Sequence, residues 1–497
     1  MKRSLACLFV TLACMSAANA KDLVGVYEDA LKNDPQLRQA DANRLASREA
    51  RPQAWSALLP QISGTLSRNQ DKQDGSEAEG AIGSGTSTPT GPIQPVNGSS
   101  SSVPFEVNTI SKSWGLNLRE SLFSWSNWMS VKQAEKEVGQ AEATYRAAQQ
   151  NLILRVAQAY FNVLSALDGL DANQASLEAI SRQLDQANKR FEVGLIAITD
   201  VQEAKAARDT AAAAVIAGKR TLATAGDQLS EITGQKYESL NKPGDDMPLN
   251  TPEPADEDRW VTVSLDQNVS LLSSRLQADI ARENVRIAVG GHLPTLDLLA
   301  SKTRTRVDGD ESVSGSPFSL NNTINDRQYT LQVTVPIFSG GFTQSKVRQA
   351  QYQWIAAKEG VVQSSRATER LARDAYLGVI SGIARVQALR QALESSQTAL
   401  KATEAGYEVG TRTAVDVLNS RRTLVQAQTD YAVSRYDYIV SVIQLRLAAG
   451  NLSANDVTEI NKWLAVSAPT VPMHPIEAPA EQSAQPITPQ PPPQQPR

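Results

Sequence analysis

Cysteine is confined to the first twenty residues, at Cys7 and Cys14, and histidine occurs twice, at His292 and His474. No Gly-x-Ser-x-Gly, phosphate loop or metal-spaced His/Glu pair occurs either. Hydrolases built on those motifs, nucleotide-driven machines and metal enzymes are thereby excluded, and no cofactor is expected. Carboxylate chemistry on a cell-wall substrate is the enzymatic reading that remains, and no polar cluster points to it. Basic and acidic residues are balanced, 49 against 53, which gives nucleic acid nothing to bind. Aromatics make up only 5 %, while Ala, Gln and Ser are plentiful, a composition that suits closely packed helices. After the first twenty residues no run of ~18 apolar residues occurs, which excludes a transmembrane helix.

What is present begins with an export signal. Lys2-Arg3, an apolar stretch from Leu5 to Met15 and Ala18-Asn19-Ala20 read as a secretory leader cleaved after Ala20. Leu12-Ala13-Cys14 is faintly like a lipoprotein signal, but the residues before it stand in the wrong order. The mature chain would carry no cysteine. An exported chain with no membrane helix is periplasmic, secreted, or inserted in an outer membrane as a β-barrel.

One stretch occurs twice, 216 residues apart: Phe-Glu-Val-Gly-Leu-Ile-Ala-Ile-Thr-Asp-Val at 191–201 and Tyr-Glu-Val-Gly-Thr-Arg-Thr-Ala-Val-Asp-Val at 407–417. Each copy lies between helical patterns. Gly194 and Gly410 suit a left-handed helix C-terminus, and Asp200 and Asp416 suit the next helix's N-cap, with Asp200-x-x-Glu203 in the form of a capping box. Each copy is therefore the bend of a long helical hairpin. Val156, Val163, Leu170, Leu177, Leu184 and Phe191 recur every seventh residue, and so do Ala372, Val379, Val386, Leu393, Leu400 and Tyr407. A strict seven-residue repeat predicts supercoiled helices.

The expected organisation is a leader (1–20), a first repeat (21–241), a linker (242–258), a second repeat (259–450) and a C-terminal segment (451–497) ending in a disordered Pro/Gln-rich tail from about Ser467. The helical hairpins are placed at 126–234 and 342–449. Period-two alternation places strands near 61–70, 110–122, 294–303 and 328–338, joined by polar loops at about 72–108 and 304–327. Strands of roughly ten residues suit a bilayer crossing. Phe123, Trp125, Trp128 and Phe338 stand at their ends, where interfacial aromatics sit. Four strands close no barrel, so a membrane reading requires several chains; three would supply twelve strands. The rival is a soluble periplasmic coiled-coil adaptor or structural protein.

From residue 21 to about 450 the sequence resembles the TolC-type outer-membrane efflux channels, the outer membrane factor family. The resemblance is carried by Tyr-Phe-Asn-Val-Leu at 160–164, Arg-Gln-Leu-Asp-Gln at 182–186, Val-Gly-Leu-Ile-Ala-Ile-Thr-Asp-Val-Gln at 193–202, Gly-His-Leu-Pro-Thr-Leu-Asp-Leu at 291–298 and Val-Gly-Thr-Arg-Thr-Ala-Val-Asp-Val-Leu at 409–418. It implies a homotrimer: a 12-stranded transmembrane β-barrel, four strands per chain, continuous with a long α-helical coiled-coil barrel in the periplasm. It also implies partners: outer-membrane lipid, a periplasmic adaptor (membrane fusion protein), and an inner-membrane RND, ABC or MFS transporter that supplies the energy. Thr199, Asp200, Tyr407 and Arg412 match the links that shut the periplasmic entrance in that family, Tyr407 bonding Asp200 within a chain and Arg412 reaching Thr199 and Asp200 of a neighbour. Asp416 matches the first of two acidic entrance rings; Asn419 stands at the second, a departure expected to weaken cation preference.

Overall fold

The computed structural model describes residues 20–78, 102–244, 247–313 and 316–470. The leader with both cysteines, the centre of the first polar loop, Asp245, Asp246 and the tail with His474 lie outside these residues. In chain order the elements are α1 (Leu23–Asn33), α2 (Pro35–Arg48), α3 (Ala50–Ser56), β1 (Gln61–Ala78), β2 (Ser102–Phe123), α4 (Trp125–Glu192), α5 (Ile198–Thr233), β3 (Ser239–Pro243), α6 (Glu257–Gln267), α7 (Val269–Gly290), β4 (Thr295–Val313), β5 (Ser316–Thr334), α8 (Phe342–Glu408), α9 (Ala414–Ala449), α10 (Ala454–Asn461) and β6 (Leu464–Pro469). The chain forms two compact units, each drawing on both sequence repeats: residues 44–141 with 274–361, and residues 1–43 with 142–273 and 362–497. The helices α4 and α8, with 68 and 67 residues, pass through both.

The sheet-bearing unit holds one antiparallel sheet in the order β1-β2-β4-β5. Its strands are 18 to 22 residues long, about twice the expected ten. Most of 72–108 that is described, and nearly all of 304–327, is strand rather than loop. The physical reason is that alternation marks only a half with an apolar face. Once that half fixes the register, antiparallel backbone pairing carries it through polar sequence. In the other direction β5 stops at Thr334, so Val335, Ile337 and Phe338 follow the strand rather than belonging to it.

The lower halves of the strands have two chemically opposite faces. One carries Ile62, Leu66, Trp114, Leu116, Tyr329 and Leu331, with Leu66 88 % and Tyr329 80 % exposed. The other carries small polar side chains and is crowded: Ser67 and Ser113 hydroxyls meet at 2.7 Å. A Cβ added at Gly115 would lie 3.2 Å from Thr65 Oγ1 and 3.3 Å from Thr303 Oγ1. Crowding of this kind belongs to the concave side of a curled sheet. Where strands meet helices, Trp125 Nε1 donates to the Arg286 carbonyl at 3.2 Å and Ser126 Oγ to that of Ile287 at 3.1 Å. Gly290 permits this approach, since a Cβ there would sit 2.3 Å from Ser126 Oγ. Trp55 and Trp128 pack edge to face, 5.9 Å between centroids.

The helical unit is built on the heptad stripes. Val156, Val163, Leu170, Ala372, Val379, Val386 and Leu400 are buried as the seven-residue spacing requires; Leu177 and Leu393 are half-buried, and Phe191 is exposed. A small sheet pairs β3 with β6, so residues 467–469, expected in the tail, are strand, and so is the start of the linker. Beside it lies a polar cluster that sequence inspection missed. Tyr436 donates to Asp168 at 2.6 Å, Lys242 Nζ stands 3.4 Å from the same carboxylate, and the Phe161 ring stacks on Tyr436 at 5.7 Å. Burial and the Asp168 charge push the Tyr436 hydroxyl far above its ordinary value, so it stays a donor.

Asp34 at the α1–α2 break is 1 % exposed. It accepts from the Leu37 N–H at 2.8 Å, capping α2, and takes both arms of Arg155, at 3.3 and 2.6 Å. The α1–α2 segment is thus bolted to α4 by a charge pair whose carboxylate is desolvated. Removing the arginine leaves a buried carboxylate uncompensated, which costs about 3–5 kcal/mol. Arg155→Leu should therefore lower the apparent melting temperature seen by circular dichroism far more than Arg182→Leu, whose ion pair with Glu178 is exposed.

Candidate functional site at the helix bends

Both bends close in the same way. Gly194 and Gly410 have φ of +75° and +83°, the left-handed region expected for them. At the first, Gly194 N–H donates to the Phe191 carbonyl and Leu195 N–H to that of Arg190, both at 2.9 Å. At the second, Gly410 N–H donates to Tyr407 at 3.2 Å and Thr411 N–H to Gly406 at 2.8 Å. These paired bonds form the Schellman arrangement that satisfies the last carbonyls of a helix.

The caps that follow differ from expectation. Asp200 and Asp416 are not N-caps; the N-caps are Ala197 and Thr413, three residues earlier. In the second bend Thr413 Oγ1 accepts from the Asp416 N–H at 3.2 Å and the Asp416 carboxylate accepts from the Thr413 N–H at 2.9 Å, a complete capping box. In the first, Ala197 has no side chain with which to cap. Asp200-x-x-Glu203 is therefore no box, because Asp200 already lies in the first turn of α5. The two Thr413 hydrogen bonds, with Arg412 nearby, hold the Asp416 carboxyl below its ordinary value.

The seams behind the bends differ as well. Ala187, Val201 and Ala204 close the first, and all three are buried. At the matching positions of the second, Val417 stays buried like Val201, but Thr403 and Ser420 hydroxyls replace the two alanines and meet at 3.2 Å, and beside them Arg421 pairs with Glu404. Arg190 holds its guanidinium 5.2 Å above the Tyr407 ring, joining the two bends by a cation–π contact. Among the described residues the Tyr407 hydroxyl makes no bond to Asp200. Arg412 folds back over Gly406, where a Cβ would lie 2.8 Å from its Cγ. Thr199 and Asn419 are exposed, with Asn419 one turn beyond Asp416. Thus Tyr407 meets Arg190, and Arg412 stands near Asp416 without an ion pair to it, while Thr199 and Asp200 face neither within one chain. Arg190, Thr413, Glu404 and Arg421 escaped sequence inspection. For Thr413 a signal existed, since Thr-x-x-Asp is itself a capping pattern; for Arg190 none did.

A family model described as outer membrane efflux protein matches residues 26–235 and 260–451. The chain belongs to the outer membrane efflux protein family. It is 36 % identical over 465 residues to the outer membrane protein TolC of Vibrio cholerae, covering 93 % of this chain and 98 % of that one. The alkaline protease secretion protein AprF of Pseudomonas aeruginosa is 26 % identical, with 92 % and 90 % covered. Among solved structures the CmeC outer membrane channel of Campylobacter jejuni superposes with a TM-score of 0.65 at 20 % identity, covering 89 % of this chain and 90 % of that one. As a family member the chain is an outer-membrane channel for efflux and secretion, with its helices on the periplasmic side.

The unequal caps predict unequal bends. Thr413→Ala should cost about 0.5–2 kcal/mol of local stability, and Ala197→Ser should gain a comparable amount. Amide hydrogen exchange at 413–417 and 197–201 reads both. Because the folded Asp416 value is depressed, its contribution is complete above the ordinary carboxylate range and lost as pH falls through the folded value. Protection at 413–417, measured against the intrinsic exchange rate at each pH, should fall below about pH 4, while protection at 197–201 changes less.

Proposed function

We propose that three copies of this chain form a 12-stranded barrel and a helical tunnel, through which substrates delivered by an inner-membrane transporter and a periplasmic adaptor leave the cell. We read the two halves as a tandem duplication, which makes the trimer pseudo-sixfold. The same architecture serves drug efflux or type I protein secretion, because the conduit is passive and the transporter selects.

One observation carries the barrel reading. Following the register across the sheet, Gln61 at the start of β1 lies level with Arg119, Leu299 and Thr330, yet β2, β4 and β5 each continue four residues further, to Phe123, Thr295 and Thr334. The top of the apolar face drops by the same amount. The row of Leu66 passes through Trp114 and Arg304 to Asn325, while on that face the last apolar residue of β5 is Tyr329. Four residues at ~3.3 Å over three strand spacings of ~4.8 Å correspond to an angle of about 43°. The drop from β1 to β5, the same at both boundaries, matches a strand tilt of that angle, within the ~35–45° of membrane barrels. A water-soluble hairpin domain has no reason for such an oblique band.

At the bends the proposal assigns the gate to Thr199, Asp200, Tyr407 and Arg412. In a single chain the Asp416 carboxylate is taken by Thr413, which leaves the Arg412 guanidinium without a paired carboxylate among the described residues. In the trimer it would reach a neighbour's Asp200 and Thr199 as a planar donor fork. Arg190 holds the Tyr407 ring and leaves its hydroxyl for Asp200. The Asp416 carboxylates would form one ring of charge and Asn419 a neutral ring.

Single-channel recording tests the whole reading. Wild-type protein should insert in planar bilayers with small conductance, and Tyr407→Phe combined with Arg412→Ser should raise it severalfold. Large conductance in both would discard the gate, and failure to insert would favour the soluble coiled-coil adaptor. Asn419→Asp should restore a second acidic ring and tighten block by a trivalent cation about tenfold; unchanged block would discard the ring assignment.

A further inference from the structure

Above the apolar band, on the same outward face, the sheet changes to cations. Arg68 on β1 is level in register with Lys112 on β2 and Arg306 on β4, while Arg304 faces Trp114, and Lys302 faces Leu116 and Arg327 on β5. All six side chains are exposed. Arg306 is neutralised by Asp308, whose two oxygens lie 3.0 Å from its Nε. Among the described residues no carboxylate pairs with any of the other five. Lys302 Nζ stands 5.8 Å from the Trp114 ring centroid, an amphipathic aromatic of the kind that sits at headgroup level.

The arrangement is not a random surface charge. Arg68, Lys112, Arg304 and Arg327 step down the register by zero, zero, two and four residues across the four strands. That is the descent that the ~43° tilt requires for positions at one height, to within little more than one residue. The height also fits. From Phe123 at the helix end of β2 to Lys112 is eleven residues. At ~3.3 Å each and that tilt they rise about 26 Å, one apolar band of about 25 Å. The cations therefore lie at the far edge of the hydrocarbon, on the side away from the helices, in the headgroup layer of the outer leaflet. Lysine and arginine on the lipid face are strongly unfavourable at mid-depth and nearly neutral at the interface, so this height is where they are tolerated. Four acids on this face stand further out, Asp74 opposite Glu106 with Asp308 and Asp310 beside them, while Glu120 lies at the helix end of β2, opposite Leu298.

We infer that this level row is a binding surface for the phosphate groups of an anionic outer-leaflet glycolipid. Five uncompensated cations within three strand spacings attract one another's counter-ions, and planar guanidinium groups suit phosphate oxygens. The lipid's acyl chains would lie along the apolar band below, beside Leu66, Leu116 and Tyr329. The inference rests on the barrel reading above and adds to it a lipid chemistry and the residues that select it.

Full-length protein and the triple variant Lys112→Gln, Arg304→Gln, Arg327→Gln, purified in neutral detergent, would be titrated with diphosphorylated lipid A and with its dephosphorylated form, and retained lipid counted by native mass spectrometry. Wild-type protein should retain the diphosphorylated form at least tenfold better than the variant, the two should retain the dephosphorylated form equally, and millimolar inorganic phosphate should not displace bound lipid. Equal retention of the diphosphorylated lipid by both proteins overturns the inference, as does indifference of wild-type protein to the phosphates. Displacement by inorganic phosphate overturns it too, reducing the row to a free-anion site. Recording the same preparations in planar bilayers separates two failures. If both insert and conduct alike while lipid retention is equal, the lipid surface is wrong and the channel stands. If wild-type protein does not insert, the barrel reading fails and the lipid surface fails with it.

Discussion

A strand that faces hydrocarbon must satisfy every backbone N–H and carbonyl without water. This constraint governs the molecule. The sheet has two open edges, β1 and β5, each a full ladder's worth of unpaired groups. A single chain cannot hold that sheet in lipid, and four strands cannot curl upon themselves. Closure by other copies, β5 of one against β1 of the next, removes both edges at once. In the proposed trimer, the tilt that brings the ends of the apolar band level would be the tilt that such closure demands. The helices leave the sheet from its end, and their heptad stripes are mostly buried already within one chain.

How much of this was legible without coordinates depended on whether a pattern had a period. Seven-residue stripes gave the long helices to within a residue or two of their ends, and the duplicated Val-Gly gave the bends, because a left-handed residue admits few alternatives to glycine. Strand number was readable from Ile62, Gly64 and Leu66 and their counterparts. Strand length was not, since beyond Arg68 both faces are polar and nothing alternates. The caps were misplaced by three residues because an acid in the first turn and an acid at the cap look alike in one dimension; only the Thr413 geometry distinguishes them. The Asp34–Arg155 and Asp168–Tyr436 pairs join residues 121 and 268 positions apart, for which no local signal exists.

The duplication conceals a division of labour. The first hairpin closes its seam with Ala187, Val201 and Ala204 and has an uncapped bend; the second uses Thr403, Ser420 and an Arg421–Glu404 pair and has a full capping box. Apolar contacts between small side chains are non-directional and tolerate sliding, whereas hydrogen bonds and ion pairs fix a register. The pseudo-symmetry of the backbone is therefore not a symmetry of stiffness.

The polar half of the sheet has a consequence of its own. Above Lys112, β2 still runs ten residues to Ser102, paired on both sides for most of that length. At the tilt derived above this raises the ladder by about 24 Å beyond the headgroups, comparable to the thickness of the hydrocarbon it has already crossed. A rim set flush with the lipid would discharge cargo against the surface it had just left. In the proposed barrel a hydrogen-bonded collar of this height would instead discharge it into the carbohydrate and solvent beyond, where a hydrophobic compound must cross water to return to the bilayer. The long polar strands would thereby slow return to the membrane without any moving part.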